Sequence, residues 1–230
     1  MKYDLIIFDL DGTLADTEYA VNAAFLESVH KLAPPEYKKF DVDFIITQCI
    51  GGTVYDIFTR MAQDVSTPVS DKIRDQIIID YQDLVPEYLT HHVQPDPELI
   101  KILQTLSGLV KVCVASNGRY KNVVNSVVAA GQSKIFGNNI FSAEHVKRAK
   151  PAPDLVLYAA AQMGITDMSR VLHIEDTARG VRGGVSAGAT AIGLTKHSKD
   201  KKAAKEEMLQ AGAQEVFDDW HAIQAYALQL

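Results

Sequence analysis

The chain of 230 residues is long enough to bury a sizeable core as one domain, or as one domain carrying an inserted lobe. Its 47% apolar and 23% charged content is that of an ordinary soluble globular protein, and a net charge of −6 leaves no basic surplus for neutralising nucleic-acid phosphates. Cys49 and Cys113 form no C-x-x-C pair and offer no disulfide framework, which fits a reducing compartment.

Met1-Lys2-Tyr3-Asp4 has no positively charged leader or cleavage signal, and no apolar run is long enough to span a bilayer. A cytoplasmic protein without a membrane partner is expected. The run Leu5-Ile6-Ile7-Phe8 reads as a buried strand and leads straight into Asp9-Leu10-Asp11-Gly12-Thr13. Two carboxylates then sit at a strand mouth, with a glycine-threonine turn that lets the backbone approach a phosphate. Such a pair suits phosphoryl transfer through an aspartyl-phosphate, the first carboxylate attacking and the second handling the proton.

From about Asp16 to Leu89 the periodicity is helical: Tyr19 to Leu32, Phe44 to Cys49, Val54 to Val65 and Asp71 to Leu89, punctuated by Pro34-Pro35, Gly51-Gly52 and Pro68. Inserted directly after the aspartate pair, this block is expected to be a helical cap over residues 16–89, closing above the strand ends. A helical appendage that only stabilises the core is the plainer alternative. Residues 1–15 and 90–230 would form the core domain.

Beyond the block, strands Val112 to Ala115, Val171 to Ile174 and Thr190 to Leu194 alternate with helices Pro97 to Leu106, Lys121 to Ala130, Pro153 to Met163 and Ala178 to Ala187. These continuous apolar strands suit burial on both faces, so the expected fold is α/β: a doubly wound, parallel-sheet, Rossmann-like core with an inserted α-helical cap. Such sheets bind ligands at their carboxyl ends. The lysine-rich stretch Lys199 to Lys205 reads as a solvated face, Gln214 to Phe217 as a short edge strand and Asp219 to Leu228 as a closing helix. Cys113, inside an apolar run, reads as a buried structural thiol.

Three further spots belong to the same strand ends. Ser116-Asn117-Gly118 supplies a hydroxyl and an amide for phosphate oxygens, although it also makes an ordinary turn. Lys150, just before Pro151-Ala152-Pro153-Asp154, can turn its ammonium back over the sheet, or sit on the surface beside a helix start. Glu175-Asp176 brings two more acids, whose oxygen ligands match Mg²⁺. Like charges ~4 Å apart cost roughly 4 kcal/mol per pair at an effective dielectric near ~20, so four acids at one mouth call for a cation. His173, within its strand, reads as a satisfied core histidine.

In this order the segments resemble the four motifs of the haloacid dehalogenase-like hydrolase superfamily, in its phosphatase and β-phosphoglucomutase branch with a helical cap. Asp9 and Asp11 stand in the first motif, Ser116 in the second, Lys150 in the third and Glu175 with Asp176 in the fourth. The resemblance implies a phosphoric monoester hydrolase. Asp9 would be the nucleophile, Asp11 the acid/base and Lys150 a catalytic cation. Asp9, Asp11 through its backbone carbonyl, Glu175 and Asp176 would attend Mg²⁺. Thr13, Ser116, Asn117 and Lys150 would grip the phosphoryl group, and Gly51 and Gly52, with Tyr19, would reach the substrate from the cap. An aspartate at Asp11 argues against dehalogenase and phosphonate-cleaving relatives. Val21, where the mutases hold a histidine, argues against the alternative of a phosphomutase. A catalytically silent regulatory relative is the third reading, opposed by competent side chains at every motif position. The cap implies a small phosphorylated metabolite, sugar or sugar-acid phosphates foremost, and a monomer as the working form.

Overall fold

The computed structural model describes residues 2–49 and 54–228. They form two compact units, one of Thr17–Val93 and one of Met1–Asp16 with Gln94–Leu230.

The smaller unit is helical, built from α1 (Glu18–Leu32), α2 (Val42–Gln48), α3 (Val54–Ala62) and α4 (Asp71–His92). Its core gathers Phe25, Leu26 and Val29 of α1 with Phe58 and Met61 of α3 and Ile77 of α4. The Phe25 ring meets Phe58 and Tyr81 edge-on at 5.3 and 5.7 Å. Ser70 caps α4, its hydroxyl accepting from the Ile73 N–H at 3.4 Å. The sequence reading ends this helix and its block at Leu89, whereas α4 runs on to His92 and the unit to Val93. Thr90-His91-His92 contains no breaker, and α4 stops at Val93, which is already extended just ahead of Gln94-Pro95.

The larger unit is a six-stranded parallel sheet: β1 (Leu5–Phe8), β2 (Lys111–Ser116), β3 (Ile140–Ser142), β4 (Val171–Glu175), β5 (Thr190–Leu194) and β6 (Val216–Phe217). The order β3-β2-β1-β4-β5-β6 is that of a doubly wound, Rossmann-like fold whose winding reverses at β1. Its helices are α5 (Pro97–Ser107), α6 (Tyr120–Ala129), α7 (Ser133–Phe136), α8 (Asp154–Gln162), α9 (Ala178–Ser186), α10 (Lys201–Gln210) and α11 (Trp220–Ala227). Strand β3 escapes the sequence reading. With three residues between Asn138-Asn139 and Ala143 it is too short to show a period.

Alternation along the strands gives the sheet two unlike faces. On one, Ile6, Phe8, Val112, Val114, Leu172 and Ile174 pack against Leu99, Ile102, Leu103 and Leu106 of α5, and against Trp220 and Ile223 of α11. The 3-and-4 spacing of the α5 residues makes one apolar stripe, started by Asp96, which accepts from the Glu98 and Leu99 N–H groups at 3.0 and 3.1 Å. On the other face, Leu5, Ile7, Cys113, Ala115 and Val171 pack against Leu155, Val156, Ala159 and Ala160 of α8. Both cysteines are free, and burial drives the Cys113 thiol far above its ordinary value. Among the described residues no helix is long and apolar enough to cross a membrane.

Phe8 centres the first face, its ring 5.8 Å from Phe136 and 6.1 Å from Trp220. Phe8→Ala should destabilise the α/β unit by about 3–5 kcal/mol. Urea unfolding followed by Trp220 fluorescence reads this directly, and a loss below about 1 kcal/mol would contradict the packing described.

Candidate active site

Register brings the acids together. Phe8 pairs with Val114 on one side and Ile174 on the other, so Asp9, Ala115 and Glu175 arrive at the next level together. The Asp9 N–H donates to the Ile174 carbonyl at 2.9 Å, extending the β1–β4 ladder into the loop. Continuing the alternation, Asp9 and Glu175 fall on the α8 face, two residues beyond Ile7 and His173. Lys150 lies in the turn just before α8, so its side chain reaches that face directly.

Lys150 is buried and donates from Nζ to Asp9 Oδ1 at 2.6 Å, to Glu175 Oε1 at 2.5 Å and to the Ala115 carbonyl at 2.8 Å. Its backbone is clamped as well. Asn117 Nδ2 donates to the Lys150 carbonyl at 2.9 Å, while the Lys150 N–H donates to Asn117 Oδ1 at 3.0 Å. The amide expected to grip a phosphoryl group is therefore engaged at both ends in holding the lysine loop. That is a positioning task which loop path alone reveals.

Two glycines make room for the acids. A Cβ on Gly180 would stand 1.8 Å from Glu175 Cδ, and one on Gly12, whose φ is +82°, would stand 2.1 Å from Asp176 Oδ2. Glu175 Oε2 also accepts from the Thr177 hydroxyl at 3.1 Å, and Thr177 caps α9 by accepting from the Gly180 N–H at 3.1 Å. Thr177 is not among the expected site residues, although a threonine at a helix start is a legible capping signal. Thr13 is buried with its hydroxyl 3.4 Å from Asp176 Oδ1. Ser116 donates to Asp11 Oδ2 at 3.2 Å and accepts from the Gly118 N–H at 3.0 Å. Asp11 is exposed where Asp9 is buried, so the first acid is held and the second meets solvent.

Asp9, Glu175 and Asp176 each present a carboxylate oxygen within 4.8 Å of the others. At that separation each like-charged pair costs roughly 3–4 kcal/mol at an effective dielectric near ~20. One ammonium faces three carboxylates. Burial would raise Glu175, but Lys150 outweighs it and holds Glu175 low, so the lysine's charge is matched there. Burial works against the ammonium of Lys150 too, yet Asp9 and Glu175 keep its pKa above the ordinary value. Asp9 is left high, raised first by burial and then by the Glu175 charge. The same two causes push Asp176 up to about 8. A buried, all-oxygen donor set with surplus negative charge fits a hard divalent cation. Asp11, on Ser116, stands outside this carboxylate cluster.

The reading of His173 as a satisfied core histidine is corrected. The ring is buried, neither nitrogen has a hydrogen-bond partner among the described residues, and Nε2 stops 3.9 Å from Glu175 Oε1. Burial lowers its pKa to about 4, so it stays neutral beneath the charged cluster. Tyr19 is exposed and packs on His92 at 5.0 Å. Gly51 and Gly52 lie outside the described residues.

Fold and site together define an α/β enzyme with a buried aspartate, paired to a lysine, at the point where the sheet winding reverses. Residues 3–188 match the family model for haloacid dehalogenase-like hydrolase, and the chain belongs to that family. It is 28% identical to pyrophosphatase PpaX of Bacillus velezensis over 82% of each chain. It is 26% identical to N-acetylmuramic acid 6-phosphate phosphatase of Pseudomonas aeruginosa over 82% of this chain and 80% of the relative. Among solved structures it superposes on a haloacid dehalogenase-like protein of Agrobacterium tumefaciens with a TM-score of 0.76, at 27% identity over 99% and 100% of the two chains. Within the family it is a phosphatase, a phosphoric monoester hydrolase.

Gly180→Ala should reduce turnover on the order of a hundredfold, because the added methyl displaces Glu175 and with it Lys150. Near-normal phosphate release by a folded variant would refute that linkage. A second expectation concerns pH. The Asp176 carboxyl is ionised above about 4 when unfolded but holds its proton to about 8 when folded, so the native state binds more protons and stability falls as pH rises. The fall should be visible in chelator between about pH 6.5 and 8, above the range where His173 and His197, both lowered by burial, titrate in the opposite sense. Asp176→Asn should make the fall shallower, leaving the part that the raised Asp9 carboxyl contributes in the same sense. A melting midpoint rising across that window would contradict the assignment.

Proposed function

We propose that this phosphatase is Mg²⁺-dependent and hydrolyses small phosphate monoesters, sugar and sugar-acid phosphates foremost, through an aspartyl-phosphate on Asp9. The observation that carries this reading is the buried Lys150 ammonium 2.6 Å from Asp9 Oδ1, which leaves the second carboxylate oxygen of Asp9 for attack.

In the first half-reaction Asp9 attacks phosphorus, and the bond to the leaving oxygen breaks as Asp11 donates its proton there. In the second, Asp11 takes a proton from water, which attacks the acyl phosphate, frees inorganic phosphate and restores the Asp9 carboxylate. The exposure of Asp11 suits a group that meets both leaving alcohol and water, and the Ser116 hydroxyl orients it. Lys150 holds the nucleophile still and balances phosphoryl charge. Asp9, Asp176 and the main-chain carbonyl of Asp11 would hold Mg²⁺, with Glu175 acting mainly as the counter-ion of Lys150. When bound, the cation supplies the charge neutralisation that the surplus carboxylates call for.

A relative named for N-acetylmuramic acid 6-phosphate supports the sugar-acid end of the substrate range. One named as a pyrophosphatase marks the alternative to test beside it. Val21 of α1 offers no proton-transfer group where a mutase carries histidine, which disfavours the phosphomutase. The free thiols suit a reducing cytoplasm.

Purified protein with Mg²⁺ should release phosphate from 4-nitrophenyl phosphate and from part of a phosphorylated-metabolite panel. Chelator should abolish the release, and Asp9→Asn should lower it by about a thousandfold or more. Turnover surviving both treatments would sink the mechanism, and silence across the panel would sink the substrate class.

A further inference from the structure

Arg179, in the first turn of α9, donates from Nε to the Lys150 carbonyl at 2.7 Å, the same oxygen that accepts from Asn117 Nδ2. This bond fixes the guanidinium beside the loop that presents the catalytic lysine, at the carboxyl ends of β2 and β4. Among the described residues, neither Nη group of Arg179 has a hydrogen bond or an ion pair, and the side chain is exposed. A helix-surface arginine usually finds a carboxylate within its long reach. The four site acids have other partners: Asp11 meets Ser116, Asp9 and Glu175 meet Lys150, and Asp176 meets Thr13.

With Nε spent on the scaffold, what remains is a planar pair of donors whose position is already set. Such a fork matches the two oxygens of a carboxylate, and little side-chain freedom is left to lose on binding. One guanidinium balances one monoanion. It also lies beside, not within, the Lys150–Asp9 pair, so a bound substrate would present its phosphoryl group to Asp9 and a second group to Arg179.

We propose that Arg179 is a specificity residue that pairs with a carboxylate on the substrate, so that the preferred substrates are phosphate esters of hydroxy acids. This rests on the phosphatase reading of the same site and narrows it.

The test uses three acid–alcohol pairs: 2-phosphoglycolate with 2-hydroxyethyl phosphate, 3-phosphoglycerate with glycerol 3-phosphate, and 6-phosphogluconate with sorbitol 6-phosphate. The wild-type protein should favour the acid in at least one pair by about tenfold or more in kcat/KM, the size of one charged hydrogen-bonded contact. Arg179→Gln should erase that preference through KM for the acid, and Arg179→Lys should keep part of it. Arg182→Gln, which removes an exposed charge one turn along α9, should keep all of it. Equal use of acid and alcohol by the wild type, or a preference that survives Arg179→Gln, overturns the inference and leaves the phosphatase standing. Release from none of the six, together with silence on 4-nitrophenyl phosphate, removes the phosphatase reading and this inference with it.

Discussion

A lysine buried between two carboxylates is the constraint around which the rest is arranged. Only 2% of the Lys150 side chain is exposed. Taking an ammonium that far from water costs several kcal/mol, and only close, well-aligned partners offset the loss. Those partners have to be delivered from chain positions 141 and 25 residues away, Asp9 and Glu175. Removing Lys150 would leave uncompensated carboxylates in a dry setting, a far larger penalty than the pairs gain in being formed. The neighbouring details follow: Gly180 stays bare to admit the Glu175 carboxylate, Thr177 fixes its other oxygen, and Asn117 braces the lysine backbone at both N–H and C=O.

The sheet supplies the delivery. Its two faces diverge along the strand direction. Along β1 and β4 the face of Ile6, Phe8, Leu172 and Ile174 is apolar, whereas the opposite face passes from Leu5 and Ile7 to Asp9 on β1, and from Val171 through His173 to Glu175 on β4. Parallel register turns this into a polar layer one residue deep above an apolar one, located where the winding reverses and a crevice opens. His173 occupies the boundary. A buried imidazole with no hydrogen-bond partner among the described residues is an unfavourable element. Its neutrality is what the position tolerates, since a second cation there would compete with Lys150 for Glu175.

How much of this is legible in sequence depends on whether a residue's role is set by its own strand or by a loop's path. Asp9 and Glu175-Asp176 are readable because each closes a largely apolar run, and a strand end is a location as well as a secondary structure. Lys150 is readable from the helix start behind it. Asn117 is not, because its partner is the backbone of a residue 33 positions on, and the same Ser-Asn-Gly makes an ordinary turn. Arg179 is hidden for the same reason, one arginine in an amphipathic helix looking like any other. Strand β3 is too short to carry a period, and the end of α4 lacks a stop signal until Pro95. His173 misleads in another way: its burial is readable, its missing partner is not.

The groups that make the reaction and the groups that choose its substrate then differ in a physical property. Asp9, Lys150 and Glu175 are buried, and Lys150 bonds to both carboxylates, so altering one disturbs the others. Such a set can hold one chemistry and little else. Selectivity has to come from side chains with donors to spare and a fixed place to offer them. Among the described core residues Arg179 combines both properties, being tied to the catalytic loop through one nitrogen and open at two. A substitution there can redirect the enzyme without touching the carboxylates and ammonium that perform the transfer. That separation lets a single phosphoryl-transfer site serve leaving groups of quite different chemistry.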